Sequence, residues 1–363
     1  MEALDRRNLI AAAAGLAGVA MLAGRASAGP LEPPAGPVTS TGKTIGEVEP
    51  RKALVPPASG PLQIVQAGSY YLTGDVTGGI EIFENDVTLD LMGFTVSRSN
   101  GGAAIAQGMA TFANRLTVRN GTVVVRQGGG IVLGFGNADG AVLEDLTMRV
   151  PNSTDNAITL GDNATLRRVH VLVPEFIFLF STMTAGRGTT MEQCRFLNVS
   201  DGPVLGQFAR LTDCEFTGTG TTLSNEGVRC GPLAVVRRCL VHRLRAAITV
   251  GDASVVEDCL MNNFDTGIIA GSLSRVSGNV LDFGTGRAIR VSGERVAISG
   301  NRVSRVGTGV ELVASSRATV TANTFAGVAT PVSGADATAA VGPVVTATNI
   351  AAAGNPFANI SVA

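Results

Sequence analysis

The sequence predicts an all-β fold, a parallel β-helix in which about eleven short coils stack into a rod. Three observations predict it. A short apolar strand recurs at a period of about 20–27 residues, the span of solenoid repeats. A second series of strands lies between the members of the first. One station of the repeat holds the same residue type in coil after coil.

The first series opens with Val87-Thr-Leu-Asp-Leu and runs through Leu116-Thr-Val, Val142-Leu-Glu-Asp-Leu, Leu166-Arg-Arg-Val, Met191-Glu-Gln-Cys, Leu211-Thr-Asp-Cys and Val236-Arg-Arg-Cys. It continues as Val256-Glu-Asp-Cys, Val276-Ser-Gly-Asn, Ile298-Ser-Gly-Asn and Val320-Thr-Ala-Asn. The second series pairs a small residue with a β-branched one: Gly79-Ile80, Ala104-Ile105, Gly130-Ile131, Ala157-Ile158, Gly227-Val228, Ala247-Ile248, Gly267-Ile268, Ala288-Ile289 and Gly309-Val310. The 46 glycines fall largely between apolar segments, which suits short strands turned by loops, and the body carries no helical 3.6-residue period. A leucine-rich repeat would need a Leu-rich signature that is absent, and a β-propeller needs four strands per repeat. At a strand spacing of about 4.8 Å, eleven coils make a rod about 50 Å long.

The repeated station stands three residues after each strand-opening apolar residue. It reads Cys194, Cys214, Cys239, Cys259, then Asn279, Asn301, Asn323. Two positions on, Phe196, Phe216, Val241, Met261, Leu281, Val303 and Phe325 are expected to point inward. Like residues at one station stack, and stacked Asn amides hydrogen-bond along the stack. An Asn ladder at an inner turn resembles the pectin-lyase-like class, and the resemblance covers residues 62–330. The opening Ala67-Gly-Ser-Tyr-Tyr-Leu-Thr-Gly-Asp, with Val87-Thr-Leu-Asp-Leu-Met-Gly-Phe, is also similar to the first coils of bacterial right-handed β-helix repeat proteins. The resemblance implies a right-handed parallel β-helix and says little about activity.

Outside the repeat, residues 1–28 read as a cleaved export signal. Arg6-Arg7 precede an Ala/Gly/Leu run ending at Ala23, and Ala26-Ser-Ala28 offers a cleavage site. The twin arginines resemble a twin-arginine signal, although Asp5 stands where that signal usually has Ser or Thr. The run is too short to span a bilayer, so a periplasmic or secreted location is expected. Residues 29–61 form a Pro-rich lead-in. The stretch 331–363 is expected to cap the last coil or to cover exposed apolar surface.

With Lys+Arg 28 against Asp+Glu 29 the chain is near neutral, which argues against nucleic acid or an anionic membrane as partner. Both lysines, Lys43 and Lys52, lie in the lead-in, so the body offers no lysine base. No C-x-x-C pair supports zinc, and no cofactor or metal is expected. Four of the five cysteines share the inward station, so free buried thiols are expected rather than disulfides.

Alternating signs along outward columns predict ion-pair ladders: Arg119, Glu144, Arg167 and Glu192; Arg237 with Glu257; Asp145 with Arg168; Arg238 between Asp213 and Asp258. His170, Arg195 and Glu215, and likewise His242, Asn262 and Asp282, stack outward on successive coils. Each His–carboxylate separation is two coils, about 10 Å, too far for a direct bond. Beside the second strand series, where the pectin-lyase-like resemblance implies a cleft, stand Asp201, Asn225, Glu226, Arg229, Arg245, Asp265, Arg287 and Arg290. Of these, Asp201, Glu226, Arg229, Arg245 and Asp265 are the candidate site. Asp201 and Glu226, about one coil or 5 Å apart, fit paired carboxylates in glycoside hydrolysis. An arginine there would neutralise a uronate or serve β-elimination, as the resemblance implies.

Against an enzyme, the D-D, G-H-G and R-x-K motifs of polygalacturonase-like hydrolases are absent, Asp155-Asn156 and Gly161-Asp162 being the nearest. Sugar-stacking aromatics are scarce: there is no Trp, and the two tyrosines are Tyr70 and Tyr71. Phe176, Phe178 and Phe180 would share one face of a strand. A non-catalytic rod that binds glycan or protein, or plays a structural part, is therefore expected, with a polysaccharide lyase or hydrolase as the alternative. Leu240, Leu260 and Val280 are expected outward on consecutive coils, an apolar stripe suited to association with further copies.

Overall fold

The computed structural model describes residues 51–363 apart from 100, 109–113, 127–128, 134–138, 152–155, 175–180, 220–225, 314–316, 347–353 and 363. The export signal, most of the lead-in, Asp155, Phe176, Phe178, Phe180 and Asn225 lie outside the described residues.

The strands alternate buried and outward side chains, the two-residue period of a half-buried strand. Every ladder pairing joins parallel strands one coil apart. The coils present three faces. The first is built from strands such as Arg210–Thr212, Val235–Arg237 and Val255–Glu257. The second follows one bend later, as in Arg195–Val199, Glu215–Gly218 and Leu240–His242. The third carries Pro203–Leu205, Glu226–Cys230 and Ala246–Val250. Later coils run the second face into the third without a break, as in Leu260–Ala270, Val280–Val291 and Arg302–Leu312. The result is an all-β solenoid of about twelve turns.

Inward side chains fill the core. Phe196, Phe216, Val241, Met261, Leu281, Val303 and Phe325 are all fully buried, as the sequence predicts. Each such burial is worth about 1.5–3 kcal/mol. The Phe196 and Phe216 rings stack with centroids 5.5 Å apart. The small residue of the second series has a steric cause: a Cβ on Gly227 would lie 2.1 Å from the Ala247 carbonyl oxygen, and one on Gly267 would lie 2.5 Å from that of Ala288.

Between the first and second faces the chain turns through a left-handed residue, for example Arg238 (φ 49°), Asp258 (φ 56°) and Gly278 (φ 69°). The repeated Cys/Asn station follows directly. Each Asn carboxamide there stitches neighbouring coils. Asn279 Nδ2 donates to Val256 O at 3.0 Å and to Asn301 Oδ1 at 3.0 Å. Asn301 Nδ2 donates to Asn323 Oδ1 at 2.9 Å, and the backbone N–H groups of Asn279 and Asn301 donate to the next Oδ1 at 3.0 Å.

The ladder has a fourth amide. Asn359 Oδ1 accepts from Asn323 Nδ2 at 3.0 Å, and Asn359 Nδ2 donates to Val320 O and Gly342 O, both at 3.0 Å. The strand Asn359–Val362 pairs with Thr324–Ala326. It thus stacks on the last coil rather than covering Leu240, Leu260 and Val280, which remain 36%, 44% and 37% exposed.

All five cysteines are free and buried. In the ladder their thiols sit 3.3–3.4 Å from the carbonyl oxygen two residues back. Burial pushes the Cys230 thiol up to about 12.

Candidate functional site

The candidate residues gather where the second face turns into the third. Asp201 precedes Pro203–Leu205, and its main chain is fixed by Thr182, whose N–H donates to Asp201 O at 3.0 Å. One coil on, the Glu226 N–H donates to Asp201 Oδ1 at 3.0 Å, and the Gly202 N–H returns to Glu226 O at 2.9 Å. Two hydrogen bonds therefore lock the carboxylate-bearing turns together. Arg229, three residues along the same strand, forms an ion pair with Glu226. Arg245, on the following coil, reaches back to Glu226 Oε1 at 3.9 Å, beyond hydrogen-bonding distance.

The structure thus brings Asp201, Glu226, Arg229 and Arg245 into one cluster. The Arg229 and Arg245 side chains are each about half exposed. Asp265 is joined to it through the main chain, by its N–H to Arg245 O at 3.0 Å, while its carboxylate accepts from Thr285 Oγ1 at 3.3 Å. Burial pushes the Asp201 carboxyl above its ordinary range, and the positive charges of Arg229 and Arg245 only partly offset this.

A second ionic cluster lies farther along the same face. Glu311 Oε2 sits 2.6 Å from Arg287 Nε and 3.4 Å from Arg290 Nε. Glu311 Oε2 and Arg290 Nε are both buried without hydrogen-bond alignment, so the attraction is mainly coulombic. Sequence reasoning named both arginines and missed the acid. The signal was present: Glu311 occupies the column of Arg290 one coil on.

Most of the predicted columns pair, but Arg119 turns to Asp90 at 3.1 Å rather than to Glu144, and the ion pair of Arg238 is with Asp213 rather than Asp258. Arg167 bridges Glu144 at 3.5 Å and Glu192 at 3.1 Å, Arg168 holds Asp145 at 2.6 Å, and Arg238 holds Asp213 at 2.8 Å. Glu257 takes both Arg237 and Arg275. His170, Arg195 and Glu215 do share one column, and Arg195 pairs with Glu215 at 2.7 Å. His242, Asn262 and Asp282 share another. There Arg305 and Ser304 hold Asp282, lowering its carboxyl below the ordinary range, chiefly through the Arg305 hydrogen bond. Burial, then the charge of Arg243, lowers the His242 imidazole.

At the opposite end of the coil stack, Asp90 is 3% exposed and accepts from Arg51, Arg119 and Asn120. Among the described residues no group of three or more His, Cys, Asp or Glu could hold a metal ion, and no helix is long and apolar enough to cross a membrane.

A family model for the right-handed β-helix region matches residues 181–325. No curated protein matches the chain. Among solved structures, the chain is similar to the mannuronan C-5 epimerase AlgE6 A-module of Azotobacter vinelandii, with 10% identity over 82% of this chain and 90% of that one, and a TM-score of 0.47. It is also similar to the GH136 lacto-N-biosidase of Eubacterium ramulus, with 10% identity, coverage of 81% and 62%, and a TM-score of 0.38. The Streptococcus pneumoniae surface protein and adhesin PfbA gives 10% identity, coverage of 83% and 90%, and a TM-score of 0.28. The stacked parallel coils, with the family match over residues 181–325, show the fold of this chain to be a right-handed parallel β-helix.

Proposed function

We propose that this protein is an exported, non-catalytic rod of the envelope or extracellular space that binds acidic polysaccharide at the Asp201–Glu226–Arg229–Arg245 cluster. One observation carries the reading. Arg245 is half exposed and meets Glu226 only at 3.9 Å, so its planar fork retains donors for a uronate carboxylate, a geometry arginine binds well. With no Trp in the chain, sugar stacking contributes little. Affinity then comes from charge and from repeated engagement along a polymer, which makes it salt-sensitive.

A second reading, a lyase or hydrolase of the same polymers, is favoured by Asp201. Its carboxyl is raised by burial and stands one hydrogen bond from the backbone of an ion-paired glutamate. Two carboxyl groups in unlike environments are what acid–base cleavage of a glycosidic bond uses.

A panel of acidic and neutral polysaccharides separates the two. In affinity electrophoresis the mature chain is expected to be retarded by polygalacturonate and not by dextran. New reducing ends or unsaturated-uronate absorbance, abolished by Asp201→Asn or Glu226→Gln, would replace the binding reading with the enzymatic one. Passage through every acidic gel without retardation would exclude the binding reading.

A further inference from the structure

The second face carries two outward columns whose order is self-complementary. The first reads Glu215, Leu240, Leu260, Val280, Arg302, in register from coil to coil. Beside it, on the three central coils, runs His242, Asn262, Asp282. About the coil of Leu260, then, acid stands opposite base at the ends of one column, and imidazole stands opposite carboxylate in the other. Each acid already holds a partner of its own chain, Arg195 on Glu215 and Arg305 with Ser304 on Asp282, so the facing group would join as an additional donor. Three exposed apolar side chains fill the space between Glu215 and Arg302. Arg302 is exposed, and its guanidinium makes no ion pair among the described residues.

From this order we infer that the second face binds a second copy of the chain in antiparallel fashion, about a two-fold axis that runs along the strand direction through the Leu260 coil. That operation reverses the coil order and leaves each column facing itself. Leu260 then meets Leu260 of the other copy, Leu240 meets Val280, Glu215 meets Arg302, and His242 meets Asp282. An isologous interface requires this kind of reciprocity.

The alternative two-fold, parallel to the rod, lays each column on its neighbour. Leu240, Leu260 and Val280 would then cover His242, Asn262 and Asp282, burying polar groups against apolar ones. A parallel stack of like columns would set Arg302 against Arg302 and Glu215 against Glu215, which repel. Only the antiparallel arrangement satisfies both columns.

A strip five coils long offers on the order of 300 Å² per copy at about 4.8 Å per coil. A stable complex buries roughly 800 Å² per partner. The dimer is therefore reversible and weak, its register set by charge and its attraction by the apolar stripe.

Sedimentation of the mature chain over a wide concentration range tests this. Wild type is expected to shift from monomer to dimer, Leu260→Glu to stay monomeric, and Arg302→Glu to dimerise about tenfold more weakly. Register is read by electron-spin distances, since the native thiols are buried and labels attach only to introduced cysteines. Labels at Asn262→Cys are expected to lie close across the dimer. Those at Ala326→Cys, three coils from the axis, should be offset from each other along the coil stack by about 29 Å, six coils, and so lie much farther apart. A wild-type chain monomeric throughout, or equal spacings at the two positions, overturns the inference.

Discussion

Two ionic clusters lie on the third face, and they differ in how completely they close. Glu311 is 23% exposed at its side chain and takes two arginines, the nearer at 2.6 Å. Glu226 also takes two, but Arg245 stands off at 3.9 Å and both arginines are half exposed. The first cluster gathers Arg287 and Arg290, 39% and 43% exposed, on one acid within 3.4 Å, whereas in the second Arg245, 52% exposed, stands off at 3.9 Å next to a carboxyl raised by burial. Charge pairing alone thus does not mark a site. On the proposed reading the site is the looser pair beside a desolvated acid, an arrangement whose cost in stability a bound ligand offsets.

Substitutions can break this contrast. The largest effect is expected for Arg245→Ala, which should weaken binding of acidic polysaccharide more than tenfold and leave the melting temperature nearly unchanged, as for other exposed pairs. Arg287→Ala should do the reverse. It leaves Glu311 with the more distant Arg290 as its remaining partner and is expected to cost about 1–2 kcal/mol in urea unfolding, with binding intact. If the two variants behave alike, the clusters are not functionally distinct.

A smaller effect separates Asp201 from Asp282 by sign. The Asp201 carboxyl is raised, so the stability its protonated form contributes is fully present below the ordinary value of 3.8 and is lost as pH rises through the raised value. Asp201→Asn, uncharged throughout, should therefore melt higher than wild type at neutral pH and converge with it in acid. Asp282 is lowered by Arg305, so its contribution is present above 3.8 and lost as pH falls through the depressed value. Asp282→Asn should melt lower at neutral pH and converge in acid. Melting curves from neutral pH down through the acid range check both, Asp282→Asn converging with wild type at lower pH than Asp201→Asn, and shifts of the same sign at neutral pH would contradict the assignment.

The fold was legible because three signals agreed. Alternation assigned faces, period assigned coils, and the Cys/Asn station fixed register, so inward and outward columns followed from the residues alone. The predicted ion-pair columns and the exposed Leu240, Leu260 and Val280 follow from that register. Asn359 was not legible, because the chain between Thr324 and Asn359 departs from the repeat length before rejoining the ladder. At the candidate site, residue types and coil spacing placed Asp201, Glu226, Arg229 and Arg245 together. Spacing could not show that Asp265 turns its carboxylate to Thr285, or that Arg245 holds Glu226 loosely, since side-chain reach is not encoded in a column.

Calorimetric titration of a short oligogalacturonate onto wild type, Arg245→Ala and Arg287→Ala tests most directly whether the open cluster, rather than charge on the third face in general, recognises acidic sugar. The account predicts salt-sensitive binding to wild type and Arg287→Ala, with loss in Arg245→Ala. Equal binding by all three, or equal loss in both variants, would contradict it.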